Sequence, residues 1–244
     1  MKQMKKMRYA VLAAAVCTAL TMGTLSAAEN EATDLRGDTV EYSMNTGVIT
    51  AKGNVVMKKG TMTATGAFAT YNSKTEEGLV TGSVTADKET MHMTADSVRT
   101  AGKNRMIASG NVHGIKDDKT FTGPQADYSS DTDYLLIPSG GTITSPDGIF
   151  TADYMEGWLK TNYFKGTGNA HIVSPPKHLE AGGDQSEYFG QQDGKAILTG
   201  NAWAIQDNNT LRSNRLVIYL ANDGSTQVAD DSAATAADSA AAEE

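Results

Sequence analysis

A short motif recurs along most of this chain, and an internal repeat limits the fold more than any single residue does. Its clear copies are Ile49-Thr50-Ala51-Lys52-Gly53-Asn54-Val55, Leu79-Val80-Thr81-Gly82-Ser83-Val84 and Ile107-Ala108-Ser109-Gly110-Asn111-Val112. Weaker copies are Ser139-Gly140-Gly141-Thr142-Ile143, Lys165-Gly166-Thr167-Gly168-Asn169-Ala170 and Leu198-Thr199-Gly200-Asn201-Ala202-Trp203. The anchoring glycines at 53, 82, 110, 141, 168 and 200 stand 27 to 32 residues apart. A second motif interleaves with the first, as Asp38 to Tyr42, Ala67 to Tyr71, Ala95 to Val98, Ala126 to Tyr128, Ala152 to Tyr154, Asp184 to Tyr188 and Asn214 to Tyr219. Each repeat therefore holds about two strands and two turns.

Turn chemistry agrees. Asn45-Thr46-Gly47, Lys59-Gly60, Glu77-Gly78, Pro146-Asp147-Gly148 and Gln192-Asp193-Gly194 separate runs rich in Thr, Val, Ile and Tyr. No stretch beyond the first residues sustains apolar spacing at three and four, so the fold class is all-β.

Side chains alternate across a strand, so counting by twos separates two faces. One face carries Ile49, Ala51, Val55 and Met57, then Val80 and Val84, then Met106, Ala108 and Val112. It continues as Ile143, Phe164, Ile172 and Leu198. The other face is polar, with Thr50, Lys52, Asn54, Thr81, Ser83, Ser109 and Asn111. The split weakens in the last copy, where Ile197, Trp203 and Ile205 fall on the polar side. The apolar face is rich in Gly and Ala, which in strands marks a tight bend or a close approach. Two readings follow: a corner where only small residues fit, or a groove for an apolar ligand. Met and Val suit flexible acyl chains better than a planar ligand.

The chain begins with Lys2, Lys5, Lys6 and Arg8, then an apolar run from Tyr9 to Leu20, then Ser26-Ala27-Ala28. This order is that of a cleavable secretory leader over residues 1–28, with a retained membrane anchor as the rival. Thr18, Thr21, Gly23 and Thr24 interrupt the run, leaving it short of the roughly 20 apolar residues a spanning helix needs. The one cysteine, Cys17, lies inside it, so thiol chemistry is not expected in the exported body. The net charge is −8, and removal of the four basic leader residues leaves −12. Six acids after Asn222 account for half of that, in an Ala/Asp/Ser/Glu segment over 223–244 expected to be disordered. The body at 29–222 is acidic without a basic stripe, which argues against nucleic acid.

No catalytic constellation is found. His92, His113, His171 and His178 show no paired metal-ligand spacing. The recurring Asp96, Asp127, Asp153 and Asp184 are read as turn or strand caps, and Lys58-Lys59 as a solvated turn. No metal, no cofactor and no enzymatic activity are expected.

The alternation of Ala-Asp-x-x-x-Tyr with x-x-Ala-x-Gly-Asn-Val, behind a leader, is similar to the OstA-like family. The copies from Asp38 to Val55 and from Asp96 to Val112 match best, and the likeness runs from Thr33 to Tyr219. The resemblance implies an elongated, twisted β-jellyroll of stacked antiparallel strands, about 14–16 in number and open at both ends. It implies a periplasmic carrier of lipopolysaccharide, with acyl chains held inside. It also implies end strands paired with related jellyroll domains of an inner-membrane complex and an outer-membrane translocon, or with a second copy in a head-to-tail homo-oligomer. The alternatives are an exported structural or adhesin repeat protein without a lipid ligand, and the membrane-anchored inner-membrane partner of the same pathway.

Overall fold

The computed structural model describes residues 32–102, 104–190, 194–207 and 209–220, and the backbone of Thr226–Ala229. The leader and most of the acidic segment lie outside the described residues. Strands β1 (Thr33–Arg36) and β2 (Thr39–Ser43) lie end to end against β3 (Val48–Lys59). An antiparallel meander follows through β4 (Met62–Asn72), β5 (Glu77–Lys88), β6 (Met91–Ala101), β7 (Arg105–Lys116) and β8 (Lys119–Ser129). Next come β9 (Tyr134–Ile137) and β10 (Gly141–Ser145), end to end against β8, and then β11 (Gly148–Ala152) and β12 (Tyr154–Trp158). The last five strands are β13 (Tyr163–Ser174), β14 (Leu179–Phe189), β15 (Lys195–Gln206), β16 (Asn209–Leu220) and β17 (Thr226–Ala229).

These seventeen strands form one sheet, and the only helical segments among the described residues are 3₁₀ turns at Leu159–Thr161 and Pro175–Lys177. Counting each end-to-end pair as one rung leaves fourteen. The strand β17 falls inside the segment expected to be unstructured from residue 223. Its Thr-Gln-Val-Ala sequence has strand character, and β16 offers it a free edge.

The sheet folds over at its mid-line. Straight, the eleven residues of β4 would span about 36 Å. Yet the Lys59 ammonium at one end of β3 lies 3.0 Å from the carbonyl of Glu76, just past the far end of β4. Each long strand is therefore bent, and its two halves lie in facing layers. Met57, in the second half of β3, packs on Gly78 at the start of β5 in the same way.

The bend is written into the repeat. In β3, β7, β13 and β15 a Gly-Asn pair occupies the middle, both residues with positive φ: Gly53 and Asn54, Gly110 and Asn111, Gly168 and Asn169, Gly200 and Asn201. Each pair opposes a single residue on the next strand, a bulge that kinks the strand. On the other side, the Asn amide donates to an aspartate: Asn54 to Asp38, Asn111 to Asp96, Asn169 to Asp153 and Asn201 to Asp184. The aspartate lies flat against the glycine, and a Cβ at Gly110 would stand 2.1 Å from an Asp96 carboxylate oxygen. Glycine is required there twice over, for its φ of +78° and for the carboxylate above it.

Two readings need correction. Asp127 is not a corner residue: it is 7% exposed and takes a bidentate pair of bonds from the Arg105 guanidinium, holding that side chain well into its charged range. The corner glycine of the fourth copy is Gly140, with φ +76°, rather than Gly141, and the strand breaks there into β9 and β10.

Candidate functional site

The apolar face read from sequence lies between the two layers. Ala51, Val55, Met57, Val80, Val84, Met106, Ala108, Val112, Ile143, Phe164, Ile172 and Leu198 are all buried in one continuous cluster. Ile49 points the same way and is half-buried near the β2 end. The partner strands supply an equal lining that counting by twos did not reveal. Met62, Ala64 and Ala69 come from β4, Met91, Met93 and Val98 from β6, Phe121 and Tyr128 from β8, and Leu179, Ala181 and Tyr188 from β14. Of the tyrosines that close the second motif, Tyr71, Tyr128 and Tyr188 turn inward beside the strand ends, whereas Tyr42, Tyr154 and Tyr219 face solvent.

The interior is filled by these side chains. Phe121 lies on Gly114, where an added Cβ would stand 2.0 Å from the ring. Phe150 packs at 4.7 Å from Tyr188 and 5.1 Å from Phe164, forming an aromatic group in the C-terminal half. Open concavities lie outside, such as the one of about 500 Å³ over Gly53, Asn54, Thr65, Gly66 and Gly82 at the corner. A guest in the trough must push the layers apart.

The corner closes one long side of the trough, and strand ends form two lips along the other. Lys59 is only 5% exposed, not the solvated turn residue expected. Its ammonium donates across the lips to the Glu76 carbonyl and stands 3.5 Å from the Glu76 carboxylate. Lys88 repeats the crossing to Asn104 Oδ1 at 3.4 Å, and Lys116 to Asp133 at 3.7 Å. Burial pulls the Lys116 ammonium down, but its bond to Asp117 and the charges of Asp133, Asp117 and Glu89 outweigh it, so the pKa is raised. Tyr128 donates to Asp133 at 2.6 Å, and burial with that bond holds its hydroxyl protonated. Tyr188, bonded to Asp147, is held in the same way.

On the outer face, Tyr134, Trp158, Tyr163 and Phe189 stack across successive strands at 5.0, 4.9 and 4.8 Å, with Lys195 over the last ring at 5.0 Å. Cross-strand stacks of this kind stiffen a sheet. The histidines sit outside: His92 meets Asp87 at 2.7 Å, His171 meets Glu180 at 3.0 Å and His178 meets Asp207 at 3.4 Å. Among the described residues there is no group of three metal-binding side chains, and no helix is long and apolar enough to cross a membrane.

The chain is thus a bent, all-β jellyroll with a continuous apolar strip between its layers. Residues 65–218 match the family model described as LptA/(LptD N-terminal domain) LPS transport protein. The match covers more than half of the chain, which therefore belongs to that family. Among solved structures the chain resembles LptH of Pseudomonas aeruginosa, described as the LptA homologous periplasmic component of a lipopolysaccharide transport device. That likeness has 17% identity and a TM-score of 0.41, covering 44% of this chain and 82% of the other. No curated protein matches the chain.

Proposed function

We propose that this protein is a periplasmic, non-catalytic carrier that holds the acyl chains of lipopolysaccharide between its layers, on the way from inner to outer membrane. The observation that carries the reading is the continuous buried apolar strip from Ala51 to Leu198, lined by Ala, Val and Met with an aromatic group in its C-terminal half. Each CH₂ kept from water is worth about 0.8 kcal/mol, which favours an acyl chain between the layers over one in the aqueous space. Family membership supports lipopolysaccharide as the cargo.

End-to-end strand pairing with related jellyroll domains, or with a second copy, would extend the strip. In support, among the described residues β2 takes its register from β3 alone and presents Val40 and Tyr42 to solvent, Tyr42 at 56% exposure. An unpaired edge of this kind is a template for another strand. The filled interior favours a rival reading, an exported structural repeat protein with no lipid ligand.

Photo-crosslinking separates the two. Probes at Val84 and Val112 face the interior, and probes at Asn54 and Asn111 face solvent at the corner. Labelled lipopolysaccharide should attach to the first pair only. Equal labelling of both pairs, or none at all, overturns the carrier reading.

A further inference from the structure

One cross-strand row on the outer face is nearly uniform until it reaches the C-terminal end. It carries Thr65, Thr85, Thr94, Thr122, Thr142 and Thr151, with His113 among them. After Thr151 it continues as His171, Gly182, Trp203 and Arg212, each directly opposite the next. Two changes are coupled there. Gly182 removes a side chain, and the indole of the next strand takes the place. A Cβ on Gly182 would stand 2.9 Å from Trp203 Nε1 and 3.0 Å from Cε2. Trp203 therefore lies over its neighbour's backbone, half-buried. It is the tryptophan that falls on the polar side in the count by twos.

The surroundings are concave and polar. A hollow of about 420 Å³ is lined by Asn169, His171, Asp184, Asn201, Trp203 and Arg212. A second, of about 440 Å³, shares Asn201 and Arg212 and adds Ser213 and Asn214. The acids nearby are already engaged. Asp184 takes the Asn201 amide, and Glu180 meets His171 Nε2 at 3.0 Å. Arg212 is exposed, and no carboxylate pairs with it among the described residues. The ring beside Trp203 is that of His171, 5.7 Å away, and no cation lies over the indole among the described residues.

We infer that the surface around Trp203 and Arg212 binds a saccharide bearing one anionic group, a phosphate or a carboxylate. A sugar ring has an apolar C–H face that rests on an aromatic ring, and its hydroxyls need polar partners at the rim. Trp203 supplies the ring, and Asn169, Asn201 and Asp184 supply amide and carboxylate groups for the hydroxyls. Arg212 is one strand beyond the indole, about 4.8 Å along the sheet. Its guanidinium can take the anionic group through two parallel bonds while the sugar lies on Trp203. The plain alternative is that the indole only shields the Gly182 backbone, which gives Arg212 and the hollows no part. The site lies on the outer face and does not rest on the carrier reading.

The repeat itself supplies the control. Gly182→Thr with Trp203→Thr rebuilds the opposed pair Thr65 and Thr85 of an earlier rung, so the sheet is kept and the indole removed. The probes are glucose 6-phosphate and glucuronate, with glucose and inorganic phosphate for comparison, read by saturation-transfer NMR on the full chain. Trp158→Phe leaves Trp203 as the only indole, so its emission gives a second readout. Both anionic sugars should bind saturably and shift that emission. Arg212→Gln, at an exposed position, should weaken them about tenfold, to the level of glucose. The double-threonine variant should melt close to the parent and bind neither. Glucose or inorganic phosphate bound as tightly as the anionic sugars overturns the inference. So does equal binding by the folded double-threonine variant, or no saturable binding by the parent.

Discussion

Asn201 Nδ2 stands 3.0 Å from one carboxylate oxygen of Asp184 and 3.2 Å from the other, across the strand boundary and directly above Gly200. The contact locks the corner at which β15 changes layers. Gly200 has φ +73°, and a Cβ there would stand 2.3 Å from Asp184 Oδ2.

Gly200→Ala should therefore destabilise the fold by about 1–3 kcal/mol, through backbone strain and displacement of the carboxylate. Asp184→Ala should cost about 1 kcal/mol, because the lost bond is exposed to water. Made together, the two should cost less than their sum, since the clash disappears with the aspartate. Urea midpoints at constant slope measure all three.

Gly114 and Phe121 are coupled for a different reason. Gly114→Ala alone should be strongly destabilising, because the Phe121 ring occupies the space. Phe121→Ala alone should cost about 3–5 kcal/mol through the cavity it leaves. In the double variant the alanine at 114 has room, and the coupling should recover at least about 1 kcal/mol. Strict additivity would show that the ring does not rest on the glycine in solution.

With Tyr134, which donates to Glu156, Tyr128 and Tyr188 set the alkaline limit. Both are buried and bonded to a carboxylate, so their folded pKa values lie above the unfolded value of about 10. Above that pH the unfolded chain loses these protons while the folded one keeps them. The tyrosines' contribution should be flat below about pH 10 and then fall by about 1.4 kcal/mol per pH unit for each. Tyr188→Phe should reduce the slope between pH 10 and 12 by about half of the two-residue value. An unchanged slope would mean that Tyr188 ionises freely in the folded protein.

Lys59→Met keeps the apolar stem and removes the donor to the Glu76 carbonyl. It should cost about 1–3 kcal/mol, because that partly buried acceptor loses its partner. It should also speed exchange of the amides in the turn before Glu77 relative to those at the corner, a difference hydrogen exchange resolves.

The sequence was legible where the bulge kept the count in step. A Gly-Asn corner puts two residues opposite one, and inward positions in β3 stay odd from Ala51 to Val55, so the apolar face could be read straight through. In β4 the turn of the corner falls on a different count, and the inward set jumps from Ala64 to Ala69. Met62, Met93, Val98 and Phe121 were missed for that reason. Lys59 was hidden by chemistry: a lysine before a glycine reads as a turn, and only the folding over of the sheet brings an acceptor within its reach. Asp127 follows the same Ala-Asp-x pattern as Asp96, but Arg105, its near cross-strand neighbour beside Ile107, claims the carboxylate. Cross-layer partners leave no mark in local spacing.

Since four of the bent strands, with the strands before them, carry their own Asp, Gly and Asn, such a unit brings its own corner to the sheet. A gene can gain or lose one unit in the middle without retuning the others, and each adds about 9.6 Å to the length spanned. The reach of a protein built this way is set by counting copies rather than by redesigning a core.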